Sequence, residues 1–231
     1  MSRGQESAVT IACIQMEPIV AEKAKNVAKS LAMMERAADH GARLIVLPLG
    51  PDGYIGTFRK VHLWNQENLF FEPGNLGVPV FKTPIGRIAT FICYDGWFPE
   101  SFRLCALQGA DIICIPTNWV PIPGQATGRE AMANVLVMAG AHSNSVFVAA
   151  ADRVGIERGQ PFVGQSLIVS YTGWPIAGPA SPDREEIVYA EANLADARRK
   201  RNWNEYNQVL RDRRTDVYDE MLGTTLTPGW Y

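Results

Sequence analysis

The sequence predicts one α/β domain built on buried, largely parallel strands. Short apolar runs rich in β-branched residues are typical of such strands, and they occupy Val9 to Met16, Ala42 to Leu47 and Asp111 to Pro116. Between the first two runs, apolar residues recur at helical spacing from Val20 to Ala38. A strand, a helix and a strand in that order predict a right-handed crossover and a parallel pair.

The other elements follow from the same kinds of pattern. We expect helices over Pro99 to Leu107 and Arg129 to His142, and an aromatic loop from Trp64 to Pro79. Predicted strands cover Tyr54 to Leu63, Val80 to Phe81, Arg87 to Cys93, Val146 to Ala151, Ser166 to Ser170 and Ile187 to Ala190. No repeat or linker divides residues 1–231, so we expect a single domain with a charged and aromatic C-terminal extension over about residues 195–231.

Composition narrows the possible partners. The chain has 22 basic and 24 acidic residues, a net charge of -2, which gives no electrostatic case for binding nucleic acid or an anionic membrane. No apolar run is long enough to span a bilayer, and the polar N-terminus lacks the apolar core of a signal peptide. No two of the four cysteines have metal-ligand spacing. We therefore expect a cytoplasmic protein without disulfides, metal or other cofactor.

Cys93 is the first candidate for chemistry, because a predicted strand ends there and a helix begins a few residues later. The helix dipole and unpaired N–H groups at such a bend favour a thiolate, which is the nucleophilic form of cysteine. The alternative interpretation is an inert core cysteine at a strand end. Cys13, Cys105 and Cys114 lie in apolar contexts and are interpreted as core residues.

Two upstream features accompany Cys93. On a strand, Lys60 and His62 would share one face, and a lysine facing a pocket can hold a thiolate or a developing oxyanion. Glu67 lies among aromatic residues, where burial could shift its protonation. The alternatives are a solvated strand lysine and an ordinary surface loop.

Together these stretches resemble the nitrilase superfamily, the carbon–nitrogen hydrolases. The resemblance extends over nearly the whole chain, and it is most specific in the segments FRKVHL, QENLFFEPG, TPIGRIATFICYDGWFPE, GADIICIPTNW and VFVAAADRVG. The YDGWFPE segment is most similar to the branches that hydrolyse amides or N-carbamoyl compounds. The resemblance implies an α-β-β-α sandwich that assembles as a homodimer or a higher homo-oligomer.

The resemblance also implies roles for individual residues. Cys93 would attack a carbonyl or nitrile carbon, and Lys60 and the backbone N–H of Tyr94 would stabilise the oxyanion. Glu67 matches a second, positioning glutamate of the family. Asn118 and Trp119 follow the strand that borders the pocket and are candidate substrate contacts. The substrate would be a small amide, carbamoyl compound or nitrile.

One residue of the family pattern is missing. In the family a glutamate, the general base, follows the strand that matches LIVLP, but here Pro48 is followed by Leu49 and a Gly-Pro-Asp-Gly turn that belongs further along. A parallel strand also needs a crossover to its next parallel neighbour, which a tight turn does not provide. We therefore expect a missing segment at residues 48–49. Three explanations are open: the segment is omitted from the sequence, the protein is a natural short form, or the chain was shortened deliberately.

Three functional hypotheses remain open at this stage. The first is a cofactor-free hydrolase that forms a thioester on Cys93. The second is an inactive fold that serves as a binding or oligomerisation module, because the general base is absent. The third is a Cys–His hydrolase that uses His62 or His142 as its base.

Overall fold

In the computed structural model, residues 8–47, 56–122, 124 and 131–218 are described. Its strands are β1 (Val9–Gln15), β2 (Ala42–Val46), β3 (Val80–Thr83), β4 (Gly86–Thr90), β5 (Ile112–Pro116), β6 (Phe147–Ala151), β7 (Ile156–Glu157), β8 (Gln160–Pro161), β9 (Leu167–Val169), β10 (Pro175–Ala177) and β11 (Glu186–Ala192). The helices are α1 (Lys23–Asp39), α2 (Pro99–Leu107), α3 (Met132–Asn144), α4 (Asp196–Arg199) and α5 (Thr215–Tyr218). Two short 3-10 helices span Asn65–Leu69 and Cys93–Trp97.

The first sheet has the strand order β11-β1-β2. β1 and β2 are parallel, as the strand–helix–strand pattern predicts, and α1 forms the crossover between them. β11 is antiparallel to β1 and lies beside it along its whole length. On its other side β2 pairs with no strand of the described residues, so it forms an edge of this sheet.

The second sheet has the order β10-β9-β6-β5-β4-β3 and carries the predicted site. β4, β5 and β6 are parallel, and β3 joins β4 through a hairpin. Because the carboxyl ends of parallel strands meet at one edge, the segments that follow β4, β5 and β6 converge there. These segments contain Cys93, Asn118 and Asp152.

The two sheets pack face to face with helices on both outer faces, which is the α-β-β-α sandwich that the sequence resemblance implies. Alternate residues of each strand fill different layers, because successive side chains point to opposite faces. Ile112 and Cys114 of β5 face the layer between the sheets, whereas Ile113 and Ile115 face α2 and α3. On the far side, Met33 and Ala37 of α1 pack against the outer face of β1.

The predicted strand from Tyr54 to Leu63 is wrong for the part that the structure describes. Residues 56–63 form no strand. Their backbone is instead held by contacts with nearby turns, among them the Gly74 N–H, which donates to the Lys60 carbonyl at 2.7 Å. Strand alternation therefore does not explain the positions of Lys60 and His62.

The remaining element predictions agree with the structure to within a few residues. α2 spans Pro99–Leu107 as predicted, and α3 begins at Met132 within the predicted Arg129 to His142 segment, of which residues 129–130 lie outside the described part. The C-terminal extension is described to residue 218 and contains α4 and α5. Pro48, Leu49 and the junction between them lie outside the described residues. Within the described ranges, no helix combines the length and the apolar character that crossing a bilayer requires.

Candidate active site

Cys93 lies three residues beyond the end of β4, at the first position of the short helix Cys93–Trp97. Its φ is 51°, in the left-handed region where a residue with a Cβ is strained by roughly 1–3 kcal/mol. The surrounding structure fixes this conformation, since the Trp119 indole N–H donates to the Cys93 carbonyl oxygen at 3.1 Å. The chain thus turns sharply at a half-buried thiol where the sheet ends.

The environment of the Cys93 thiol does not favour the thiolate overall, which corrects the expectation from the sequence. Burial raises the pKa of this thiol above its ordinary value. Hydrogen bonds from the Thr117 side chain and the Asn118 backbone lower the pKa, as does the charge of Lys60, while the charge of Asp152 raises it. Desolvation is the larger effect, and α2 begins six residues away at Pro99, which weakens the influence of its dipole.

Thr117 is a partner of Cys93 that the sequence analysis missed. Its side chain is 3% exposed, and its hydroxyl oxygen has no hydrogen-bond partner among the described residues. A buried hydroxyl without a partner is unfavourable, so a thiolate on Cys93 offers Thr117 an acceptor. The sequence does contain a signal that could have identified Thr117. In the ICIPTNW stretch it is a polar residue directly after a buried strand, and such a residue lies at the edge of the sheet.

Lys60 and Glu67, both named as site residues by the sequence resemblance, form an ion pair in the structure. The Lys60 ammonium contacts Glu67 Oε2, and the lysine side chain is 13% exposed. Glu67 Oε2 also accepts a hydrogen bond from the backbone N–H of Trp64 at 2.7 Å, which fixes the carboxylate in the short helix Asn65–Leu69. Glu67 therefore holds Lys60 in place beside the site, while Lys60 acts electrostatically on Cys93.

Asp95 joins the Lys60 segment to the Cys93 turn, and the sequence analysis did not single it out. The residue is 1% exposed. Its Oδ1 accepts hydrogen bonds at 2.8 Å from the backbone N–H and from the Nδ1 of His62, and its Oδ2 accepts one from the Ile92 N–H at 3.1 Å. His62 also stacks on Phe98, with 3.6 Å between ring centroids. The His62 ring is thus held by Asp95 and Phe98. Among the contacts of the described residues, none joins His62 to the Cys93 thiol.

Asp152, which directly follows β6, stabilises the turn at Cys93. It is fully buried, and its Oδ1 accepts hydrogen bonds from the N–H groups of Trp119 at 2.9 Å and of Arg153 at 2.8 Å. Its Oδ2 has no partner among the described residues. Burial raises the pKa of this carboxyl well above its usual range, although the N–H groups of Arg153 and Trp119 oppose the shift. Asp152 therefore fixes Trp119, which in turn holds the Cys93 carbonyl.

A small cavity of about 20 Å³ opens beside Cys93. Its walls are mostly aromatic and contain three of the predicted contact residues; the lining is Trp64, Cys93, Tyr94, Trp97, Asn118, Trp119, Val120 and Ile122. The Tyr94 ring packs edge-on against Trp64 and Phe98, and Trp119 packs against Trp97. The predicted residues Cys93, Tyr94, Asn118 and Trp119 are therefore brought together around one cavity.

The other candidates from the sequence lie elsewhere. His142 is on α3, where its ring stacks on Trp203 and its Nδ1 contacts the Thr172 carbonyl at 2.9 Å. Cys13, Cys105 and Cys114 are buried, and burial raises the pKa of Cys105 and of Cys114 to about 12. Residues 8–47, 56–122, 124 and 131–218 contain no group of three or more side chains arranged to hold a metal ion.

The fold and the site together define a class of protein: an α-β-β-α sandwich with a thiol at the carboxyl edge of one sheet, beside a lysine–glutamate ion pair. The sequence profile described as carbon–nitrogen hydrolase matches residues 49–202, two thirds of the chain. This chain belongs to the carbon–nitrogen hydrolase family, which is a family of enzymes. The predicted family resemblance and enzyme class are confirmed.

Curated relatives give the same family. A nitrilase from Pyrococcus abyssi (strain GE5 / Orsay) is 32% identical over 271 residues, which cover 91% of this chain and 99% of that protein. An N-carbamoylputrescine amidase from Solanum tuberosum is 37% identical over 182 residues, which cover 73% of this chain. The chain spans 59% of the length of that amidase.

Solved structures confirm the predicted fold. A carbon–nitrogen hydrolase from Helicobacter pylori G27 has a TM-score of 0.80 at 22% identity, with 95% of this chain and 99% of that chain covered. A mutant of the amidase from Nesterenkonia sp. AN1 has a TM-score of 0.76 at 21% identity, with 94% of this chain and 98% of that chain covered.

Proposed function

We propose that this chain hydrolyses a non-peptide carbon–nitrogen bond of a small molecule, with Cys93 as the nucleophile. The observation that carries the proposal is the position of the Cys93 thiol, at a strained turn with Lys60 acting on it electrostatically and with hydrogen bonds from Thr117 and Asn118. Membership of the carbon–nitrogen hydrolase family supplies the reaction class.

The proposed reaction has two steps. Cys93 Sγ attacks the carbonyl carbon and forms a tetrahedral intermediate, whose oxyanion would be stabilised by the Lys60 ammonium and the backbone N–H of Tyr94. Collapse of the intermediate releases ammonia or an amine, which takes up the proton that left the thiol. It leaves a thioester on Cys93, or a thiocarbamate when the substrate is a carbamoyl compound, which water then hydrolyses to the acid or carbamic acid. Glu67 would act as a positioning residue, because its carboxylate holds both Lys60 and the Trp64 N–H.

For the substrate we propose an N-carbamoyl or simple amide group. Among the similar curated proteins are N-carbamoylputrescine amidases and a citrullinase from Francisella tularensis subsp. tularensis (strain SCHU S4 / Schu 4), which is 34% identical over 74% of this chain. The cavity walls in this chain carry indole and phenol rings, on which the flat face of a ureido or amide group can stack. Nitriles are the second choice because the Pyrococcus abyssi relative is named a nitrilase.

We further propose that the chain has lost a segment between Pro48 and Leu49. The alignment with the Pyrococcus abyssi nitrilase runs over 271 residues, more than the 231 of the whole chain, so that relative contains residues without a counterpart here. The family match begins at residue 49. In addition, β2 ends at Val46 as an unpaired edge of the three-stranded sheet within the described residues, where a further strand could add.

The lost segment would include the general-base glutamate. General acid–base assistance contributes about 10²–10⁴-fold to a rate, so we expect turnover to be lower by that factor than in a family member that has the glutamate. The test is a tryptic digest, since cleavage after Arg43 and Arg59 releases a peptide in which Pro48 is joined directly to Leu49. Detection of that peptide supports a true loss, and a longer peptide in its place would refute it.

The activity is tested by ammonia release from N-carbamoylputrescine, citrulline, short-chain amides and nitriles. We expect at least one carbamoyl or amide compound to be hydrolysed, and the Cys93→Ala variant to be inactive on it. Asp39→Asn provides a control, because Asp39 is an exposed residue at the end of α1. Turnover retained by Cys93→Ala would contradict the role of the thiol, and no turnover on any compound would contradict the proposed activity.

A further inference from the structure

A large cavity lies at the opposite end of the sandwich from Cys93. It has a volume of about 470 Å³, which is within the range of small-molecule sites. Its wall includes the β3–β4 hairpin at Lys82 and Arg87, and Asp111 just before β5. Because Cys93 follows the far end of β4, about six residues at roughly 3.3 Å each separate the cavity from the thiol, or about 20 Å.

The lining of this cavity is strongly cationic in a protein whose net charge is -2. Four basic side chains line it, from Arg43, Lys82, Arg87 and Arg198, against the one carboxylate of Asp111. The carboxylate is fully buried and binds the Arg198 guanidinium through both oxygens, at 2.8 and 2.6 Å. One cation is thereby neutralised, and the lining keeps an excess of about three positive charges.

The excess charge is not relieved elsewhere in the described structure. Arg43 and Lys82 are exposed, and neither has an ion pair with a described residue. At the neighbouring Arg201, burial lowers the pKa of the guanidinium, the charge of Asp111 raises it, and the charges of Arg198 and Arg87 lower it. Like charges held together in this way favour an anion between them.

The other groups in the wall fit a small organic ligand. Ile85 is half-buried and supplies apolar surface, and Thr83 and Asn193 add polar side chains between the cations. Guanidinium groups bind phosphate oxygens in pairs, and an ammonium adds a point charge. A dianion matches an excess of about three positive charges better than a monoanion does.

We propose that this cavity binds a small molecule carrying a phosphate group. Arg43, Lys82 and Arg87 bind the phosphate oxygens, and the apolar wall takes up part of the organic portion of the ligand. The ion pair between Arg198 and Asp111 holds the floor of the site in place. The site is separate from the cavity at Cys93, so it accommodates a second ligand and does not bind the group that is hydrolysed.

The test uses inorganic phosphate as the probe for the phosphate group. Titration calorimetry and thermal unfolding are measured on the full chain in phosphate and in chloride at equal ionic strength and pH. We expect saturable binding, and a melting temperature higher by about 3–6 °C at phosphate concentrations roughly tenfold above the dissociation constant.

Paired double variants separate site binding from general salt effects. Arg43→Gln with Lys82→Gln removes two charges from the cavity, whereas Lys23→Gln with Arg158→Gln removes two exposed charges elsewhere. We expect the cavity variant to lose most of the phosphate-dependent shift and the control variant to keep it. An equal shift in both variants, or no saturable binding to the unmodified protein, would overturn the proposal.

Discussion

Replacement of Asp95 by asparagine tests whether the buried carboxylate stabilises the turn at Cys93. Asparagine has nearly the same shape, but it replaces one of the two acceptor oxygens by an NH2 group. In the structure the two oxygens accept from His62 on one side, at 2.8 Å, and from the Ile92 N–H on the other, at 3.1 Å. One of these sides must therefore lose its acceptor.

The cost can be estimated from the contacts. A buried donor without an acceptor costs about 1–3 kcal/mol, and the remaining bonds weaken because the acceptor is no longer charged. We expect a loss of about 2–4 kcal/mol in the free energy of unfolding. For a chain of this size that is a melting temperature lower by about 5–15 °C.

Urea denaturation measures this change directly. The midpoint should fall in Asp95→Asn without a change in slope, because the surface exposed on unfolding stays the same. Asp39→Asn removes the same charge from an exposed position and should change the stability by no more than about 0.5 kcal/mol. If Asp95→Asn also lost less than about 0.5 kcal/mol, the proposed link between the two segments would be refuted.

Three further predictions concern packing and the thiols. Gly140→Ala places a Cβ 2.5 Å from Phe102 Cδ1 between α3 and α2, so thermal unfolding should show a loss of about 1–3 kcal/mol, and unchanged stability would contradict this packing. The pKa of Cys93, read from the pH dependence of its alkylation, should rise in Thr117→Val and stay nearly unchanged in Thr117→Ser. Equal alkylation midpoints in the two variants would contradict a hydrogen bond from Thr117 to the Cys93 thiolate. Cys105 and Cys114 should resist iodoacetamide at pH 8 in the folded protein and react in denaturant, because burial raises each pKa to about 12.

The pH dependence of Cys93 itself follows from the sign of its shift. Burial raises its pKa above the ordinary value, so the reactive thiolate is scarce at neutral pH. Alkylation of the unmodified protein should therefore accelerate as the pH rises through and beyond the ordinary cysteine range. A rate that levels off at or below pH 7 would show that the thiolate is stabilised and that this account of the site is wrong.

The sequence was sufficient for the parts of the fold that depend on local periodicity. β1, α1, β2 and α2 follow from apolar spacing and end signals, and α2 begins at Pro99 because proline suits the first turn of a helix. Residues 56–63 were predicted wrongly as a strand because their alternating pattern has no neighbouring strand to pair with, and strand formation depends on that partner.

The site was only partly predictable for a related reason. Cys93, Lys60 and Glu67 were identified through sequence resemblance, and the ion pair of the last two is present in the structure. Asp95 and Asp152 were not identified as site residues, because their roles depend on hydrogen bonds to segments about 33 residues distant in the chain. The sequence predicts a lowered pKa for Cys93, whereas its pKa is raised. The difference arises because desolvation depends on tertiary burial and not on the adjacent helix.

The most direct test of the central claim is to map the site of a covalent adduct. A glutamate-to-leucine mutant of the Nesterenkonia sp. AN1 amidase shows covalent addition of the acetamide moiety of fluoroacetamide at its active-site cysteine, so the same reagent is the probe here. After incubation of the folded protein with fluoroacetamide, mass spectrometry should find a single acetamide on Cys93 and none in Cys93→Ala. Modification of Cys13, Cys105 or Cys114 in preference to Cys93, or no adduct under conditions that label free thiols, would contradict the assignment of Cys93 as the nucleophile.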